Sequence, residues 1–100
     1  MLVYNVTVQV AHDVHDEWLQ WMKEVHIPDV MATGMFTNYK MMHILGMDEG
    51  EGITYAIHYE CKSRQNLEQY QNQYAPRLQK EHIDKYKEKF VAFRTLMEVV

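Results

Sequence analysis

The sequence predicts an α+β fold of the ferredoxin-like class, a βαββαβ chain whose four strands form one antiparallel sheet with two helices on one face. Three observations predict it. Four segments alternate apolar and polar residues, two segments repeat apolar residues at three- and four-residue spacing, and the 100 residues leave almost no slack between them. Right-handed crossovers put both helices on the same face and give strand order 4-1-3-2. A chain of this length holds one core, so residues 1–100 form a single domain.

Each element has its own signal. Over 2–10, Tyr4, Val6, Val8 and Val10 fall on one side of a strand and Val3, Asn5, Thr7 and Gln9 on the other. Asp13 offers a helix cap, after which Val14, Trp18, Trp21, Met22 and Val25 share one helical face. Pro28 lacks an N–H and disfavours helical geometry at Ile27, so the helix is expected to break at His26 and restart as a short turn ending at Gly34. A hairpin follows, with strands over 35–45 and 53–61 and an acidic loop over 46–52. Ser63 caps a second helix whose stripe is Leu67, Tyr70, Tyr74 and Leu78, interrupted at Pro76, with a further turn over 82–87. The last strand is expected over 90–100.

Two helices cover one face of such a sheet, and the other must meet water, a ligand or another chain. Alternation assigns Tyr4, Val6, Val8, Ile57, Tyr59, Phe93 and Met97 to the helix side. The outer side then carries Asn5, Thr7, Gln9, Ala56, His58, Glu60, Ala92, Arg94, Leu96 and Glu98, joined from the second strand by Phe36, Asn38, Lys40, Met42 and Ile44. That mixture disfavours plain exposure, so a homodimer through the sheet faces is expected, with Lys40 and Arg94 balancing Glu60 and Glu98. Asn5, His58, Glu60, Arg94 and the helix-end His26 are the candidate ligand-binding residues.

Composition narrows the function classes. The 47% hydrophobic and 24% charged residues are those of a folded soluble protein, and a net charge of −4 without a basic patch argues against nucleic acid. Six histidines could carry that charge toward +2 below pH 6.5. No apolar run reaches the roughly 20 residues of a membrane span, no secretory leader is recognised, and the single Cys61 has no internal disulfide partner. A cytoplasmic protein with no membrane partner is the expectation.

No catalytic or metal-binding spacing stands out. His43, His58 and His82 are too far apart for a zinc signature, His12 and His15 read as exposed or capping residues, and the 46–52 loop matches no calcium or phosphate motif, so no metal is expected. His58 and Glu60, two apart on a strand, point the same way and form the better acid–base pair. Trp18 and Trp21 at helical spacing read as core, Cys61 as structural, and the Met-rich set as gap filling.

Tyr4-Asn5-Val6-Thr7-Val8, Trp18, Trp21-Met22, His26-Ile27-Pro28, Thr33-Gly34, Phe36, Tyr74-Ala75-Pro76, His82 and Phe90-Val91-Ala92-Phe93-Arg94-Thr95 with Glu98 together resemble a short bacterial family known as a domain of unknown function. The resemblance covers nearly the whole chain. That family is similar to the dimeric α+β barrels, which include antibiotic-biosynthesis monooxygenases, haem-degrading monooxygenases and stress-response barrel proteins. It implies a homodimer, and it brings an oxygenase chemistry, cofactor-independent or haem-dependent, in which Asn5 and His82 are catalytic candidates, beside His58 from its pairing with Glu60 on the strand. Haem-degrading barrels carry a tryptophan on the third strand, where this chain has Tyr55 and Tyr59. Three functions are therefore carried forward. The first is a homodimeric accessory or binding protein for a small hydrophobic or aromatic ligand in a cavity at the sheet face, without a cofactor. The others are an oxygenase-like enzyme and a metabolite-binding regulatory module.

Overall fold

A computed structural model describes residues 1–47 and 50–100, so Asp48 and Glu49 of the acidic loop lie outside the described residues. Strands β1 (Leu2–Val10), β2 (Asn38–His43), β3 (Ile53–Cys61) and β4 (Phe90–Glu98) form one antiparallel sheet in the order β2-β3-β1-β4, the predicted arrangement. Between β1 and β2 run α1 (His15–Trp21), a π-helical turn (Met22–His26) and α2 (Ile27–Ala32); between β3 and β4 run α3 (Arg64–Gln73) and α4 (Ala75–Tyr86). All of them pack on the side of the sheet that carries Tyr4, Val8, Val10, Ile57, Tyr59 and Cys61, and Trp18, Met22, Leu67 and Leu78 complete the core from the helices.

Local chemistry accounts for the departures from expectation. Pro28 does not break the first helix. Without a proline N–H to reach the carbonyl four residues back, the chain widens by one residue per turn, and the N–H of Ile27 bonds Met22 O. The α-helix then resumes at Ile27 and brings Val30 into the core. Asp13 does not cap α1 either; its carboxylate pairs with Lys89 at 2.7 Å, and a 3₁₀ turn (His12–Val14) leads into the helix. His15 is not an exposed residue, because its Nε2 lies 2.6 Å from the Tyr55 hydroxyl and its ring stacks on that tyrosine. Ser63 caps α3 as expected, its hydroxyl accepting from the N–H of Asn66 at 3.1 Å. Pro76, in the first turn of α4, opens a helix of 12 residues where only one further turn was expected.

Two side assignments are corrected by register. Phe36 precedes β2, faces the helices and packs on Tyr4, Tyr59 and Tyr70, with its ring 4.8 Å from that of Tyr70. On β4 the parity is reversed. Val6 pairs with Arg94 and Thr7 with Phe93, so Ala92, Arg94, Leu96 and Glu98 lie on the helix side, while Val91, Phe93 and Met97 face outward. Arg94 and Glu98 therefore cannot share an ion-pair network with Lys40 and Glu60 on the outer face.

Candidate functional site

The predicted site residues divide between the two faces of the sheet. His26, His82 and Arg94 converge on the helix side. There Tyr4 of β1, Tyr59 of β3, Tyr70 of α3 and Gln79 and His82 of α4 join His26 and Arg94 around a cavity of ≈ 30 Å³, room for a small polar group. Val6, Val8, Ile57, Met22 and Val30 form its apolar walls.

Each polar group reaches the cavity for a local reason. His26 ends the π-helical turn, and the wider turn sets the imidazole against the rings of Trp21 and His82, with centroids 5.1 and 5.5 Å away. Trp18 is fully buried, and its indole Nε1 donates to His82 Nε2 at 2.9 Å. In the neutral imidazole that bond leaves the proton of His82 on Nδ1. Phe90, the first residue of β4, stacks on His82 with centroids 4.0 Å apart and fixes the other face of the ring. Burial raises the Tyr4 hydroxyl above its ordinary range, and the neighbouring Arg94 and Gln79 side chains oppose that rise.

Electrostatics keep both histidines uncharged. Burial lowers His26 to about 4 against a weaker opposing pull from Asp29, and burial lowers His82 to about 3, assisted by His26 and Arg94. Burial pushes the hydroxyls of Tyr59 and Tyr70 upward, so these too remain neutral. Among the described residues, Arg94 is the one member of the lining that is charged at neutral pH, and none brings a carboxylate to the cavity. The Nδ1 atom of His26 is buried and, among the described residues, has no hydrogen-bond partner. A buried polar atom left open in this way calls for a ligand atom or a water.

The other candidates lie together on the opposite face. Lys40, His58, Asn5 and Thr95 form one row across all four strands. Lys40, His58 and Glu60 border a depression of ≈ 150 Å³ with Val3 and Met42. Asn5 is 7% exposed; its Nδ2 donates to Thr7 Oγ1 at 2.9 Å and its Oδ1 is unpartnered. The outer end of the sheet is apolar, a groove of ≈ 310 Å³ between Ile44, Met47, Val91 and Phe93 with Thr7, Gln9 and Thr54 on its floor.

Tyr4, Tyr59, Tyr70 and Gln79 were not among the residues singled out for function. The available signal was the placement of tyrosines, rather than aliphatic residues, at helix-side positions of the two central strands, which puts hydroxyls inside the core. Cys61 is buried, and its thiol donates to Ser63 O at 3.0 Å, in keeping with a structural role. Among the described residues no group of three His, Cys, Asp or Glu is placed to hold a metal ion, and no helix is long and apolar enough to cross a membrane. The helix-side cavity does not fit a haem, because a volume of ≈ 30 Å³ is far below that of a macrocycle and His82 Nε2 is already engaged by Trp18.

A model of a domain of unknown function, DUF4286, matches residues 1–100. No curated protein matches the sequence. Among solved structures, a dimeric ferredoxin-like protein from an uncultured marine organism superposes with a TM-score of 0.74 at 13% identity, over 100% of this chain and 95% of that one. An ethyl tert-butyl ether D (EthD) family protein from Bacillus halodurans gives 0.73 at 13% identity over 100% of both chains. SnoaB, a cofactor-independent oxygenase from Streptomyces nogalater, gives 0.68 at 10% identity over 98% of this chain and 92% of that one. At such identities the likeness is one of fold.

Proposed function

The chain belongs to the DUF4286 family of domains of unknown function, and from its helix-side cavity we propose that it is a homodimeric protein that binds a small organic molecule by its head group. The observation that carries this reading is the open Nδ1 of His26 in a cavity that also holds a cation and a second neutral histidine. A purely structural polar cluster would be expected to close its own hydrogen bonds. Dimerisation through the outer face is supported by Val91 and Phe93, 66% and 63% exposed on the same side of the sheet, and by a fold neighbour described as dimeric. The expected homodimer thus keeps its place, while the ligand cavity moves from the outer face to the helix side.

The experiment is native mass spectrometry of the freshly purified protein, followed by NMR of the His26 and His82 imidazoles during titration with small aromatic compounds. A dimer at micromolar concentration, with imidazole shifts that saturate, is the expected result. A persistent monomer overturns the dimer, and imidazoles indifferent to every compound overturn the ligand site.

A second reading, a cofactor-independent oxygenase, is favoured by the same imidazoles. A histidine held neutral in a cavity beside Arg94 is a base able to take a proton from an acidic substrate, while the cation favours the anion that remains. Oxygen consumption with a phenolic substrate that is lost in His26→Ala, and kept in His58→Ala and Asn5→Ala, supports this reading. Dependence on Asn5 and His58 instead would return the chemistry to the outer face.

A further inference from the structure

We infer that the head group taken by the helix-side cavity is a singly charged carboxylate, held by Arg94 and by the neutral donors around it. This rests on the cavity being the ligand site, as proposed above, and adds the charge and the class of its ligand.

Three observations converge on it. The first is charge balance. Arg94 is the charged member of the lining, no acidic side chain accompanies it there, and among the described residues it forms no ion pair. The neutral hydroxyl of Tyr4 lies near enough to feel its charge. A guanidinium in that setting retains donors for an oxyanion, with the planar fork that matches a carboxylate.

The second is donor content. Once Trp18 occupies Nε2 of His82, the proton on Nδ1 is the one that ring has to offer, and His26 has an unpartnered Nδ1. Both rings stay neutral beside Arg94, so neither adds a charge that would call for a dianion. One positive charge among several neutral donors is the complement of one negative charge.

The third is size and access. A volume of ≈ 30 Å³ suits a head group and not a whole aromatic acid. Arg94 is exposed on the edge strand, so the body of a larger acid has a way out beside it, along the helix-side row of β4 that holds Ala92 and Leu96, the latter 40% exposed. A small free acid and the head of a larger one present the same chemistry. Comparing formate with benzoate separates them.

The test is a titration of the intact protein with formate, benzoate and the neutral isostere benzamide, read from the His26 and His82 imidazole signals at low and high salt. Benzoate is expected to bind at least tenfold more tightly than benzamide, with an affinity that falls as salt rises. Arg94→Gln is expected to abolish the discrimination, and Arg94→Lys, which keeps the charge, to retain part of it. Formate binding as tightly as benzoate supports a small free acid, and tighter benzoate supports a larger one. Benzamide binding as well as benzoate, or a preference unchanged in Arg94→Gln, overturns the carboxylate while leaving the cavity as a ligand site. Silence of both imidazoles toward all three compounds overturns the ligand site and the carboxylate together.

Discussion

The two faces of the sheet are made from alternate residues of the same strands, yet they solve opposite problems. On the helix side, polar groups are set into the core one by one, His82 held by the Trp18 indole and His26 left with an open Nδ1 among the described residues. On the outer side, polar and apolar rows are merely laid beside each other, Lys40, His58 and Asn5 in one row and Met42, Ala56, Thr7 and Phe93 in the next. A buried polar group that lacks a partner is costly, so the covered face tolerates few such groups and each has a defined setting. On the open face Asn5 is a buried polar group, and its neighbours Lys40, His58 and Glu60 keep contact with solvent. The proposed division follows from this contrast, with the ligand chemistry assigned to the covered face and recognition between copies to the open one.

The largest effect expected is on the helix side. Trp18→Ala removes a fully buried indole and the donor to His82, and is expected to cost about 3–5 kcal/mol in denaturant unfolding. A cost below about 1 kcal/mol would mean that the polar cluster is not part of the core. Next comes Phe93→Glu, beside Arg94 in sequence but on the other face. It is expected to weaken the dimer by about 2 kcal/mol or more in sedimentation, roughly 30-fold, with little change in carboxylate binding. Arg94→Gln should do the reverse, and either variant affecting both readouts equally would dissolve the division between the faces.

Acid should act through the covered face. Unfolded, His26 and His82 take up protons near pH 6.5, whereas folded they stay neutral down to about 4 and about 3. Between those limits the unfolded chain binds more protons, so stability falls as pH falls from about 6.5 toward 4, by up to about 1.4 kcal/mol per pH unit for each histidine. His26→Gln is expected to remove one histidine's share of that slope, whereas Thr95→Ala on the outer face, which removes no titratable group, should leave the slope nearly unchanged. Equal flattening in both variants would argue against the buried pair as its source. The smallest effect is expected at the exposed Lys80–Asp84 pair on α4, 2.5 Å apart, where Lys80→Ala should change stability by about 0.5 kcal/mol or less.

Legibility followed how far each pattern depended on its own residues. Alternation in β1 and β3 assigned the faces of Tyr4, Val8, Ile57 and Tyr59 correctly, because both strands are central and one of their faces is fully covered. The same rule misplaced Arg94 because β4 is an edge strand with large apolar residues on both faces, Val91, Phe93 and Met97 on one and Phe90 and Leu96 on the other. Only its register with β1 distinguishes them. Phe36 was misplaced for a related reason: it precedes β2, so extending that strand's alternation back to it gave the wrong side. Pro28 was recognised as a disturbance, but whether a helix breaks or widens there depends on whether Val30 beyond it finds a core, as it does.

By itself, then, the sequence determined the βαββαβ order, the strand order of the sheet and the helix-side faces of its two central strands. Those features depend on local periodicity, short connections and the handedness of crossovers, all of which are encoded along the chain. The tertiary structure alone decided that His26 and His82, 56 positions apart, come within 5.5 Å, that Trp18 fixes the proton of His82, and that Arg94 turns toward them. A cavity is a relation between residues distant in sequence, set by register and packing, and neither is contained in any one segment.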